Sequence, residues 1–393
     1  MEILHARDPA AVAALARRIV GADQLAFDTE FLWERTYYPR LCLVQLATDD
    51  VLATVDPLVV DDLGPVWEAL VGGPTVIVHA GAHDLDIVHR AVGRLPERVV
   101  DTQVAASFLG YGDTPGHGTL VGKALGVRVR GGEGYTDWAR RPLTDEQVDY
   151  ALDDVRHLID LWSRLHADLE ERGRTAWAEE ETRVRFSGIG EPVEPRQQWR
   201  RVKDARRLSG RALAVLQETA AWREDTAMEH DETRQRVVPD RVLIEVARRA
   251  STDPARIAKM RGLHPGQAKR VAGPLAQAVR AALETPKDRW PRWPSAPAFA
   301  GDPRVDSIAS VLHAVVRARA IDLDLASRLL GTRSDLEDLA RRRLSGDLDE
   351  PDGATLLTGW RRKAIGEELL SVLRGEAALR IAEGDDGPRL QVG

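Results

Sequence analysis

The stretch Gln24-Leu25-Ala26-Phe27-Asp28-Thr29-Glu30-Phe31 sets an apolar run against two acids, and its reading decides the fold. Its length and apolar lead are those of a β-strand. Alternation then sends Asp28 and Glu30 out of one face and Thr29 out of the other. Two carboxylates so placed on an apolar strand repel one another and resist desolvation. A hard divalent cation, Mg2+ or Mn2+, resolves that conflict. So does an exposed strand end, where acids cost little, and on this stretch alone both readings stand.

Around it, strand-like and helix-like runs alternate. Arg40–Thr48 and Asp50–Val55 read as strands joined by a polar break, a hairpin signal. Thr75-Val76-Ile77-Val78-His79 follows the Gly72-Gly73-Pro74 turn as a further strand. Helical periods occupy Pro9–Val20, Leu63–Val71, Asp84–Val92, Asp101–Leu109 and Thr144–Leu169. Strands first and interleaved helices later predict an α/β fold, a mixed sheet with helices on its faces. Beyond Glu191-Pro192-Val193-Glu194-Pro195 the periodic segments are helical, with a second proline-rich break at Lys287–Phe299 and further helix over 303–384. The chain therefore divides into an α/β domain over 1–190, a linker over 191–202, a helical domain over 203–286, a linker over 287–302 and a second helical domain over 303–385. The two helical parts are of similar size, which suggests distant copies of one module.

Hydrophobic residues make up 43% and charged residues 30%, which suits folded domains rather than disorder. No apolar run approaches the roughly 20 residues of a membrane span. The opening Met1-Glu2-Ile3-Leu4-His5 lacks a basic region before an apolar core, so no signal peptide is expected. The lone Cys42 excludes an intrachain disulfide framework and a cysteine-built zinc site. A reducing, cytoplasmic setting is expected. The net charge of −7 argues at first against a nucleic-acid partner, but its distribution does not. Residues 1–190 carry 31 acids and 19 bases (net −12), whereas 191–290 carry 14 and 21 (net +7). An acidic module joined to a basic one suits a metal site beside a phosphate-binding surface.

Two further acids have the right company. Asp84 follows the strand ending at His79 after Ala80-Gly81-Ala82, near a helix start, where the helix dipole also favours an acid. Asp86, His79, His83 and His89 compete for any role there, but the histidine spacing lacks the paired i, i+4 pattern expected of a zinc-binding helix. Tyr150 and Asp154 are four apart in a strong helical segment and share a face. A phenol there could orient a water while the carboxylate holds a metal; half-buried packing and a solvated charge would look the same in isolation.

Taken as a set, Phe27-Asp28-Thr29-Glu30-Phe31, His79-Ala80-Gly81-Ala82-His83-Asp84-Leu85 and Tyr150-Ala151-Leu152-Asp153-Asp154 resemble the three exonuclease motifs of the ribonuclease D family. That family is the tyrosine branch of the DEDD exonucleases. Asp101-Thr102-Gln103 and Thr136–Thr144 are similar to its intervening sequence. The sister branch has histidine five residues before the last aspartate, where this chain has Asp149. His83 stands where relatives often carry an acid. The resemblance spans roughly residues 5–180. Further on, Lys203–Leu208, Ala212–Arg223 and Val237–Arg249 resemble the helicase-and-RNase-D C-terminal (HRDC) domain, and Met260-Arg261-Gly262-Leu263-His264-Pro265 fits a helix end followed by a new start.

The resemblance implies an RNase H-like exonuclease domain followed by one or two helical bundles, and two-metal hydrolysis of RNA from its 3′ end. Asp28, Glu30 and Asp154 would hold the ion that activates water, Asp28 would bridge to a second ion, and Asp84 would support that one through water. Tyr150 would orient the attacking water. Nucleoside 5′-monophosphates would leave one at a time, with transfer RNA precursors as the expected substrates and a monomer as the expected state. Trp199, Arg200, Arg201 and Arg207, within a basic run that includes Arg196, Lys203, Arg206 and Arg211, could stack a base and track phosphates. The same arginines could instead pair with the acidic domain. Two rival functions are a DNA-directed exonuclease of the same superfamily and a non-catalytic RNA-binding scaffold. A scaffold has no reason to keep all five site positions.

Overall fold

The computed structural model describes residues 1–129, 136–348, 350, 353–384 and 387–393, and divides into two compact units. The first unit comprises residues 1–30, 42–190 and 296–393; the second comprises 31–41 and 191–295.

The first unit is built on six strands, β1 (Glu2–Ala6), β2 (Gln24–Leu32), β3 (Arg40–Ala47), β4 (Val51–Val55), β5 (Thr75–Val78) and β6 (Val99–Asp101), in the order β1-β4-β3-β2-β5-β6. β3 and β4 form the expected antiparallel hairpin, with Leu46 opposite Ala53. β1 runs parallel to β4, and β5 runs parallel to both β2 and β6. The sheet is therefore mixed. β1 and β6, at its two edges, are short and carry no strand signal strong enough to read from sequence.

Helices cover the sheet: α1 (Pro9–Val20), α2 (Gly64–Gly72), α3 (Ala82–Val92), α4 (Thr102–Ser107), α5 (His117–Leu125), α6 (Asp145–Arg156), α7 (Leu158–Glu171) and α8 (Thr175–Phe186). Local chemistry sets their starts. The Asp8 carboxylate accepts from Ala11 N at 2.9 Å just ahead of Pro9, and Thr144 and Gln147 close a reciprocal capping box on α6. The single helix expected over Thr144–Leu169 is broken at His157, where the backbone leaves helical geometry (φ −109°, ψ 1°). Each half then buries its own apolar stripe, Ala151, Leu152 and Val155 on α6 and Leu158, Leu161, Leu165 and Leu169 on α7.

The second unit packs α9 (Gly210–Glu229), α10 (Arg234–Val237), α11 (Asp240–Arg249), α12 (Pro254–Ala258) and α13 (Pro265–Glu284) around Leu213, Leu216, Val242, Leu243, Leu275 and Val279. Residues 191–202, expected as a linker, are more than that. Residues 195–201 form a 3-10 helix, and Trp199 and Val202 are part of this helical core. Residues 31–41, from the end of β2 to the start of β3, belong here as well. Tyr37 donates its hydroxyl to the fully buried Glu224, which also pairs with Arg234 at 2.6 Å, and Asp231 Oδ1 accepts from both Tyr37 N and Tyr38 N at 2.9 Å.

Residues 296–393 lie in the first unit, where α14 (Pro303–Asp322), α15 (Ser327–Leu330) and α16 (Arg333–Ser345) contribute to the same apolar core as helices α4 to α8. Trp360 stacks on Trp177 at 5.4 Å, meets Phe108 edge-on at 4.9 Å and donates its indole N–H to Glu181. The helical reading of 303–384 fails at its end, because β7 (Leu379–Gly384) and β8 (Gly387–Val392) form an antiparallel hairpin there. No helix of the described residues is long and apolar enough to cross a membrane.

Candidate active site

β2 carries the site's first two acids. Leu25, Ala26 and Phe27 are fully buried, which locks the register of the strand, and Asp28 and Glu30 follow Ala26 on one face, both partly buried. Asp154 arrives on α6, and one carboxylate oxygen each from Asp28, Glu30 and Asp154 lies within 4.8 Å of the others. Among the described residues this is the group of metal-capable side chains brought together, so the histidines near residue 83 build no zinc site. Asp86 pairs with Arg90 at 2.8 Å instead, and His79 bonds Thr102 Oγ1 and the Pro115 carbonyl.

Asp84 reaches the site by a tight turn. β5 ends at Val78, Ala80 adopts positive φ (58°), and a Cβ on Gly81 would stand 2.5 Å from the Val78 side chain, so this turn needs glycine. Asp101 holds the turn by accepting from Ala80 N (3.0 Å) while capping α4 through Gln103 N (2.9 Å). Asp84 then sits buried in the first turn of α3. It lies outside the group of three. Its Oδ1 accepts the hydroxyl proton of Thr29, the residue between the two strand acids. Alternation turns Thr29 away from Asp28 and Glu30, and it is there that it meets Asp84. Nothing in the local sequence marks that bond.

The electrostatics are those of a site built for positive charge. Burial, then the negative fields of Asp84, Asp154 and Glu30, push the Asp28 carboxyl well above the usual carboxylate range. Burial and then Asp154 and Asp84 raise Glu30 to about 8. Burial raises Asp84 against the lowering effect of its Thr29 bond. Tyr150 is raised as well, by burial first and then by the negative fields of Asp154, Glu30 and Asp28. Its ring leans on the buried Trp138, with centroids 6.2 Å apart. The loop before α6 is fixed by Arg141, which grips Asp56 through two bonds (2.7 and 2.8 Å) and the carbonyls of Cys42 and Trp138. Asp101 and Arg141 lie in stretches similar to the family's intervening sequence, but their roles could not be read from it, since their partners lie far along the chain.

The expected RNA-binding set needs correction. Trp199 is buried at 1% exposure and packs edge-on against Trp293 at 4.5 Å, so its faces cannot stack a base. Arg200, Arg201 and Arg207 are exposed; Arg200 lies over the Trp199 ring and Arg207 approaches Asp204 at 3.6 Å.

A mixed six-stranded sheet carrying a half-buried carboxylate cluster able to hold a divalent cation fits a metal-dependent 3′→5′ exonuclease. Residues 5–170 match the 3′-5′ exonuclease family model and residues 212–279 the HRDC domain model. The ribonuclease D of Nitrobacter hamburgensis is 36% identical over 95% of this chain and 96% of its own length, and that of Granulibacter bethesdensis 35% over 97% and 94%. The crystal structure of Escherichia coli RNase D, described as an exoribonuclease involved in structured RNA processing, superposes with a TM-score of 0.81 at 30% identity, covering 95% of this chain and 99% of that one. The chain belongs to the ribonuclease D family and is a 3′→5′ exoribonuclease.

Proposed function

We propose that this chain trims the 3′ ends of structured small RNAs, transfer RNA precursors foremost, with Mg2+ or Mn2+ held by Asp28, Glu30 and Asp154 and a second such ion beside Asp28 and Asp84. The observation that carries this reading is the convergence of Asp28, Glu30 and Asp154 with their oxygens within 4.8 Å in a setting that disfavours uncompensated negative charge. Hard oxygen donors of this kind fit a hard divalent ion. The bound ions would supply acidified water and stabilise charge on the leaving 3′ oxygen.

The chain's own residues do the rest. Tyr150, raised rather than lowered, keeps its proton at neutral pH, so it orients water as a hydrogen-bond donor and is not the base. Thr29 holds one oxygen of Asp84 and leaves the other for the site. Trp138 and the Arg141 anchor keep Tyr150 and Asp154 in place on α6. Arg200, Arg201 and Arg207 offer charge to the RNA backbone, and the monomer is the working form in a cytoplasmic setting.

The test is to incubate the protein with 5′-labelled, 3′-extended tRNA, with Mg2+ or with EDTA, beside single-stranded RNA and DNA of one sequence. Stepwise shortening of the RNAs with release of nucleoside 5′-monophosphates, abolished by EDTA, is expected. Preferential attack on DNA, or binding of RNA without cleavage, would overturn the proposal.

A further inference from the structure

Asp154 has a second neighbour besides Tyr150. His117, the first residue of α5, places Nδ1 at 3.4 Å from Asp154 Oδ1, with the two side chains only 12% and 18% exposed. Nothing in the sequence motifs points to it, since it lies 37 residues before Asp154 and on another helix.

The surroundings hold this imidazole in place. The Pro115 carbonyl, two residues earlier, accepts from His79 Nε2 (3.1 Å) and Gln103 Nε2 (3.2 Å), which pins the entry to α5. Gly116 opens the helix, its carbonyl accepting from Leu120 N at 3.0 Å. The His79 ring meets the His117 ring nearly edge-on, with centroids 5.5 Å apart. His79 is itself fixed at both nitrogens, by Thr102 Oγ1 and by Pro115. Among the described residues, His117 Nε2 is buried without a hydrogen-bond partner, and it is Nδ1 that faces Asp154. His117 does not join the three acids that can share an ion.

We infer that His117 is a positioning residue for the metal-binding site: its Nδ1 faces Asp154 Oδ1 and holds that carboxylate in the setting the site needs. This rests on the proposed metal-binding role of Asp154. At 3.4 Å the pair is longer than a formed N–H···O bond. Donors behind a metal-binding group orient it and raise its affinity, and removing one typically costs about 10- to 100-fold.

Titration of the full-length protein with Mn2+, followed by calorimetry or by the paramagnetic resonance of free Mn2+, tests this without recourse to turnover. His117→Ala should weaken Mn2+ binding about ten-fold or more. His117→Asn, whose amide nitrogen falls near the place of Nδ1, should recover most of the loss. His117→Gln, whose amide reaches the place of Nε2, should not. Metal-free melting temperatures of the three variants separate a folding defect from a binding defect, and if His117→Ala does not fold, the Asn and Gln pair decides. Unchanged affinity in His117→Ala, or rescue by Gln and not by Asn, overturns the positioning role alone. Failure of the native protein to bind Mn2+, or undiminished binding in Asp154→Ala, overturns the metal reading and this inference together.

Discussion

The hydroxyl of Thr29 donates to Oδ1 of Asp84, joining the strand that carries two of the site's acids to the helix that carries a third. Both residues are buried, so the bond is shielded from water and Asp84 has a single rotational setting. Thr29→Val, nearly isosteric, should lower stability by about 1–3 kcal/mol and turnover by about ten-fold or more, while Thr29→Ser should restore both. Denaturant melts and single-turnover rates on a short RNA check it; wild-type rates in Thr29→Val would show that the bond leaves Asp84 unaffected.

The three converging carboxylates are not equivalent to the tyrosine beside them. Asp28→Ala and Asp154→Ala should each reduce turnover by several orders of magnitude with the fold and RNA affinity kept, because each removes a ligand from a site of three. Tyr150→Phe keeps the ring against Trp138 and loses only the hydroxyl, so a fall of about ten- to a hundred-fold is expected. Near-normal Mg2+-dependent rates in both aspartate variants would end the assignment of this cluster as the reaction centre.

Metal-free stability should depend on pH with a definite sign. Glu30 is raised to about 8 in the folded protein, against about 4.3 in an unfolded chain, and Asp28 is raised as well. A raised carboxyl contributes stability that is fully present below its unfolded value and is lost as pH climbs through the folded value. In EDTA the melting temperature of the first unit should therefore fall between about pH 5 and pH 8. Mn2+ should reverse the fall, and by more at pH 8 than at pH 5, since at the lower pH it must displace protons. Asp28→Asn should flatten the EDTA profile. A flat profile in the native protein would show that the acids are not desolvated as described.

Trp199 and its arginine neighbours should separate cleanly. Trp199→Ala empties a buried ring position in the helical core and should cost about 3–5 kcal/mol, with no loss of RNA affinity in the folded fraction. Neutralising Arg200, Arg201 and Arg207 together should leave stability nearly unchanged and reduce the slope of log affinity against log salt by about 2 on single-stranded RNA. An unchanged slope would assign these arginines to the protein's own acids.

The boundary between what could and could not be read from the chain follows the range of the interactions involved. Asp28 with Glu30, and Tyr150 with Asp154, share a face because strand and helix periods are local, and for that reason α1, β3 and the β3–β4 hairpin fall within a residue or so of expectation. Where a residue's place depends on distant partners, the periods say nothing. Thr29 looks like a spacer until Asp84, 55 residues away, meets it, and His117 looks like a helix start until Asp154 does. Trp199 has the composition of a nucleic-acid surface, yet Trp293 and the helical core bury it. Residues 303–373 have the period of an independent bundle, yet Trp360 and its neighbours share their apolar core with the exonuclease helices. The sequence by itself determined a family-like order of four acids and a tyrosine and, through local periods, which of them share a strand or helix face. Tertiary structure decided which side chains support them, because burial and pairing are properties of surfaces that come together only once the chain has folded.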